Sequence, residues 1–332
     1  NICQDTPSSR KYWHFIKLMG RSASHVSLEV ALKCKPALTF ISEEVAEKRQ
    51  SLPQLIDELA RIVLRRGLKG INHGVVVIPE GLIEHIPECQ ELIDCLNQNA
   101  PDPNQPLSDV QKTLPGHLHA LWNQIPESFQ SLLSFTRDSH GNLPVSQLDT
   151  ERLLADMAAD RIRQLSNQRT ELETLLGQPL SDEEFANAQN YKFQAQSHFF
   201  GYEGRCGLPS TFDADYSYNL GIVAAALALE KRSGYMASVS ELSNGGTGYG
   251  IPLLPLLHME NRFGVDTAVI EKFTVKLDSP AFQYFVERRE TWAEEDHFAS
   301  PGPRQYQGPC AQDIPFTVAL NQGYTSYQYQ FS

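Results

Sequence analysis

The chain has 332 residues, 41% hydrophobic and 20% charged, which excludes disordered, collagen-like and coiled-coil classes and, at roughly 100 to 200 residues per domain, predicts about two domains. With 28 Lys and Arg against 40 Asp and Glu the formal net charge is -12, so neither a nucleic-acid partner nor an anionic membrane is expected. There is no apolar run of about 18 residues and no basic-then-apolar leader, and the six cysteines form no CxxC pair, so the sequence reads as cytoplasmic with reduced thiols.

In chain order, the run YWHFIKLM from Tyr12 predicts a strand that breaks at Gly20, and the apolar spacing after Ser24 predicts a helix to Cys34. A short apolar run, Leu38 to Ile41, follows. Ser51 with Gln54 makes a capping box with Pro53 in the first turn, opening a helix. Gly74 to Ile78 is a continuous apolar strand, followed by Pro79, Glu80, Gly81 and an amphipathic helix to about Leu96. Strands of this kind alternating with helices predict a buried, mostly parallel sheet with helices on both faces, in α/β class.

The proline-rich stretch NQNAPDPNQP marks a boundary, after which helical spacing dominates to about Asn190, with a second capping box at Ser181 and Glu184. Strand-like SHFFGYEG resumes the α/β pattern at Ser197, and a long apolar helix is expected from about Ala214 to Lys231. Another short strand is expected from Ile270 to Val275. The expected division is an α/β domain over 1–98, a helical insertion over 99–192, the α/β domain again over 193–234 and a C-terminal segment over 235–332.

Three strand ends carry the candidate site, because in open α/β sheets ligands bind outside the carboxyl ends of strands. Met19, Gly20 and Arg21 end the first, with Gly20 allowing close backbone approach and Arg21 offering a planar fork for phosphate. Glu80 ends the second, where a carboxylate suits sugar hydroxyls. Tyr202, Glu203, Gly204 and Arg205 end the third. Two arginines, a carboxylate and a tyrosine on one edge are the chemistry of a phosphorylated sugar. The bland alternatives are a glycine turn with an exposed arginine and a helix-terminal glutamate. Elsewhere, His117 and His119 diverge as a metal pair, Gly245 to Gly250 lacks the Lys-Ser/Thr of a P-loop and reads as a flexible loop, and Glu43 with Glu44 reads as a solvated helix end.

The strings KYWHFIKLMGRSASHVSLE, GVVVIPEGLIEHIPE, SHFFGYEGRCGLPSTFDADYSYNLG and RETWAEEDHFASPGPRQYQGP resemble the phosphofructokinase superfamily, and more closely the long form of the pyrophosphate-dependent phosphofructokinases. That resemblance implies a phosphofructokinase-like fold and reversible phosphoryl transfer from pyrophosphate to fructose 6-phosphate in glycolysis. It also implies fructose 6-phosphate binding by Met19, Gly20, Arg21, Glu80 and Tyr202 to Arg205. Lys11 and Tyr12 match a pair that the family contributes to the partner subunit's site, implying a homodimer or higher oligomer. The GGDD-type donor loop, with Mg²⁺ and pyrophosphate, and the TIDGD-type segment with the catalytic Asp do not occur in the sequence. They are expected upstream of residue 1, so the chain is expected to be the C-terminal three-fifths of such an enzyme, inactive alone, with no catalytic or metal residue of its own and its 235–332 segment resting on the upstream donor domain. An ATP-dependent relative and a non-catalytic sugar-phosphate-binding subunit are the alternatives.

Overall fold

The structure, a computed structural model, describes residues 1–20, 23–99, 101–102, 104–137, 143–262, 265–270, 272–300 and 314–324. The chain divides into two compact units, one of Asn1–Arg205 with Val275–Leu277 and Phe282–Ser300, the other of Cys206–Thr274, Asp278–Ala281 and Pro301–Ser332.

In the first unit, α1 (Ile2–Ser9) precedes β1 (Trp13–Leu18), followed by α2 (His25–Cys34), β2 (Leu38–Thr39), α3 (Ser42–Glu47), α4 (Leu52–Leu68), β3 (Gly74–Pro79) and α5 (Pro87–Gln98). The Ser51 and Gln54 capping box that starts α4 is formed reciprocally. Helices α6 (Leu107–Thr113), α7 (His119–Gln124), α8 (Glu127–Phe135), α9 (Thr150–Leu165), α10 (Arg169–Leu176) and α11 (Asp182–Gln189) lead to β4 (Ala195–Phe200) and the short α12 (Tyr202–Arg205).

Four strands form one parallel sheet in the order β2-β3-β1-β4. Side chains alternate across it. Trp13, Phe15, Val76 and Ile78 enter one core with Leu59 and Val63 of α4 and Leu154 and Ala158 of α9, while Ile16, Leu18, Val75 and Val77 face Cys3 of α1, with Val30 of α2 alongside. Helices therefore cover both faces, as the continuous apolar strands require. Among the described residues no strand arises between β3 and β4. The helical segment is built in more deeply than an appendage: α9 shares the main core, and Lys17 of β1 donates from Nζ to the Leu148 carbonyl at 2.6 Å with Glu151 at 3.4 Å.

The second unit contains α13 (Thr211–Leu229), the antiparallel pairs β5 (Tyr235–Ser240) with β6 (Thr247–Pro252) and β7 (Leu257–Arg262) with β8 (Val265–Ile270), and α15 (Phe316–Asn321). α14 (Pro280–Glu294) lies mostly in the first unit. Two expectations are corrected here. The glycine-rich stretch is not a loose loop: Gly245 and Gly246 turn the hairpin at positive φ, and Gly248 lies where a Cβ would meet Val223 of α13 at 2.4 Å. The strand expected from Ile270 to Val275 ends at Ile270, because Leu257 pairs with Ile270 and the β7 ladder stops there.

Candidate functional site

The register of the sheet brings the carboxyl ends of β1, β3 and β4 level, with Leu18 opposite both Pro79 and Phe200. Strands spaced about 4.8 Å apart put the β3 and β4 tips about 10 Å apart, with the β1 tip between them. The backbone ties the three together: Met19 N–H donates to the Phe200 carbonyl at 3.0 Å, and Glu80 N–H to the Leu18 carbonyl at 3.1 Å.

Glu80 is only 3% exposed and its Oε2 accepts the Gly20 N–H at 2.8 Å. This differs from an open carboxylate waiting for hydroxyls: burial has engaged it with the turn that follows β1. Glu203 also turns to backbone, its Oε1 accepting the Gly201 N–H at 3.3 Å. Tyr202 projects its ring outward at 72% exposure. Gly204 lies against Phe200, where a Cβ would stand 3.0 Å from that residue's own Cβ. Arg205 closes α12, its backbone alone being described. Arg21 lies outside the described residues, as does the end of the RETWAEEDHFASPGPRQYQGP string beyond Ser300.

Beneath this edge, an apolar cavity of about 230 Å³ is lined by Ile16, Leu18, Met19, Val77, Phe200 and Gly204 among others. Met19 and Gly204 thus belong to the apolar underside of the edge. Lys11 and Tyr12 are at the opposite end of β1, about 23 Å from Met19 at 3.3 Å per residue, so the chain does not bring them to the same edge.

Glu43 and Ser24 were missed by the sequence reading, and Glu43 is not a solvated helix end. Glu43 Oε1 accepts the Ser24 N–H at 3.1 Å and the Val275 N–H at 2.9 Å, and Ser24 Oγ accepts the Ser42 N–H at 2.9 Å. Its neighbour Glu44 is buried and takes both guanidinium arms of Arg289. Burial alone would raise the Glu44 pKa, but hydrogen bonds from Arg289 and Lys48 hold it below the ordinary carboxylate value. The available signal was position, since Glu43 follows β2 on the same carboxyl edge.

Further down the sheet, His14 Nδ1 and His198 Nε2 are 3.0 Å apart with their rings stacked. Burial lowers both pKa values, and at His14 the His198 charge adds to that while Asp5 opposes it. Among the described residues no three His, Cys, Asp or Glu side chains are grouped to hold a metal ion. On their own the described residues offer no set of Mg²⁺ ligands.

Fold and edge define the class: an open, parallel α/β sheet with a candidate ligand site across adjacent strand ends. Over nearly its whole length the chain is similar to proteins named pyrophosphate–fructose 6-phosphate 1-phosphotransferase. It is 40% identical over 94% of its length to the one from Treponema pallidum, 38% over 97% to subunit beta 1 from Arabidopsis thaliana, and 31% over 94% to subunit alpha 2 from the same plant. The resemblance to pyrophosphate-dependent phosphofructokinases is borne out. The chain spans about half the length of these relatives, 53%, 55% and 49% respectively. No protein-family model matches it. No helix among the described residues is long and apolar enough to cross a membrane.

Proposed function

We propose that the carboxyl edge of the four-stranded sheet binds fructose 6-phosphate as the acceptor of a reversible phosphoryl transfer from pyrophosphate, giving fructose 1,6-bisphosphate. The observation that carries this is the level convergence of three strand ends on one edge, with the buried Glu80 gripping Gly20. The names of the relatives support the choice of sugar and donor.

In this reading Arg21 and Arg205 hold the sugar phosphate, Gly20 lets backbone approach it, and Met19 and Gly204 support the edge from its apolar underside. Glu80 acts through the turn it fixes, holding the Gly20 backbone against the sugar phosphate, with Tyr202 and Glu203 at the rim. Glu43, Glu80 and Glu203 each already accept a backbone N–H, and the arginines at 21 and 205 supply the charged donors that a phosphate needs on this edge. Phosphoryl transfer is mainly positioning and charge stabilisation, so a rigid acceptor edge is a sensible contribution from this half. Mg²⁺ would arrive with pyrophosphate and neutralise its charge, through ligands outside the described residues. The catalytic base likewise lies elsewhere in this reading. Lys11 and Tyr12 serve a second subunit in a homodimer or larger assembly. The working compartment is the cytoplasm, which suits the cysteines at 3, 34, 89, 95 and 206, all of them free thiols.

Thermal melting with each substrate tests the assignment, because a ligand that binds only the folded state raises the melting point with its concentration. Fructose 6-phosphate should raise the melting temperature of the chain and pyrophosphate alone should not. The opposite pattern would place the donor, not the acceptor, on this edge.

A further inference from the structure

Resting on that reading, we infer that Glu43 is a positioning residue that sets Ser24 at the start of α2, and with it the acceptor edge. Two backbone positions of that edge are pinned by carboxylates that follow other strands. Gly20 N–H, just after β1, is held by Glu80, which follows β3. Ser24 N–H, just before α2, is held by Glu43, which follows β2.

Ser24 is fully buried, yet its hydroxyl does not cap its own helix. It accepts instead from Ser42, the first residue of α3. The two connections are reciprocal: the side chain at the start of α2 holds the backbone at the start of α3, and the side chain in the first turn of α3 holds the backbone at the start of α2. This brace fixes the two helix starts against each other above the sheet edge. Glu43 Oε1 extends it to a third strand of chain through Val275 N–H.

A solvated glutamate favourably placed in the first turn of a helix would need none of these partners. Glu43 Oε2 is buried without a hydrogen-bond partner among the described residues, so both pins run through Oε1. A glutamine can keep that acceptor. An alanine cannot, and it would leave two buried N–H groups unpaired.

The experiment compares Glu43→Ala, Glu43→Gln and the unchanged chain by fructose 6-phosphate titration, amide hydrogen exchange and melting. Glu43→Ala should weaken binding at least tenfold and speed exchange at Gly20 and Ser24, while the amides of β1 keep their protection. Glu43→Gln should restore binding to within about threefold. If Glu43→Ala lowers the melting point but the folded molecule binds like the unchanged chain, Glu43 is only structural and the inference fails. Should Glu43→Ala not fold, Ser24→Ala removes the opposite half of the brace, and unchanged binding and exchange there would overturn the inference as well. A chain that binds no fructose 6-phosphate at all would overturn the sugar-phosphate reading itself, and the exchange at Gly20 and Ser24 would then decide the brace alone.

Discussion

A glutamate at the end of a strand can face ligand or satisfy the backbone of the next turn, and here the second holds for three of them, with burial as the cause at Glu80. Glu80, Glu43 and Glu203 each accept from a backbone N–H on the same edge. Glu80→Ala should therefore cost both stability and sugar affinity, whereas Glu80→Gln, which keeps an acceptor for Gly20, should fold normally and lose affinity by the smaller margin. Melting curves and titration on the two variants separate these effects. The histidine pair gives a prediction of different kind. Both histidines have folded-state pKa values below the ordinary 6.5, so the unfolded chain takes up more protons as pH drops below that value. Their stabilising contribution is present above about pH 6.5 and is lost as pH falls from there towards the lowered folded-state values. His14→Gln should flatten that part of the stability profile in denaturant titrations at successive pH values. A pH slope that is unaltered would remove the pair from the account. At this scale the sequence showed where side chains with site chemistry lie, since glycines, arginines and glutamates cluster after strand runs. Which groups each glutamate meets was hidden, because it depends on strand order: Glu43 reaches Ser24 only because β2 and β1 end on the same edge with β3 between them.

At the scale of elements, the clearest signals were those with a local physical cause. The capping boxes at Ser51 and Ser181 start α4 and α11 as read, and the unbroken apolar runs became β1 and β3. The helix over Ile2–Ser9 has no such local signal, since Pro7 within it argues against one. The box at Ser210 is harder to read because its partner is Asp213 rather than Glu or Gln. The stretch from Ile270 to Val275 reads as strand, but a ladder can be no longer than its partner, and β7 begins at Leu257, opposite Ile270. Two packing consequences are measurable. A Cβ at Gly74 would stand 2.4 Å from the Trp13 ring, so Gly74→Ala should destabilise by about 1 to 3 kcal/mol in chemical denaturation, as overpacking of a rigid core does. Lys17 and Glu151 form a pair whose side chains are 2% and 6% exposed. Burial raises the Glu151 pKa even with Lys17 beside it. Lys17→Met alone should cost about 3 to 5 kcal/mol, and the double change with Glu151→Leu should recover much of it, because breaking a buried pair is worse than replacing both partners. Equal losses in the single and double variants would mean the pair does not join α9 to the sheet energetically.

For the whole molecule, the apolar surface of the second unit matters most. None of the α13 residues is buried, and Tyr218, Ile222 and Leu229 are 72%, 52% and 84% exposed. A helix that is apolar on all sides ordinarily lies inside a larger core, and open apolar patches promote association. The purified chain is expected to sediment above 37.2 kDa in a concentration-dependent way, and Ile222→Lys with Leu229→Lys to reduce it. The central claim concerns the sheet edge, and calorimetric titration of fructose 6-phosphate into the unchanged chain and Arg205→Ala tests it most directly. The account predicts saturable binding by the unchanged chain, weakened about 10- to 100-fold in the variant, the loss of one charged hydrogen-bonding group costing about 1.5 to 3 kcal/mol. Equal affinity in both would contradict the claim that this edge holds the sugar phosphate.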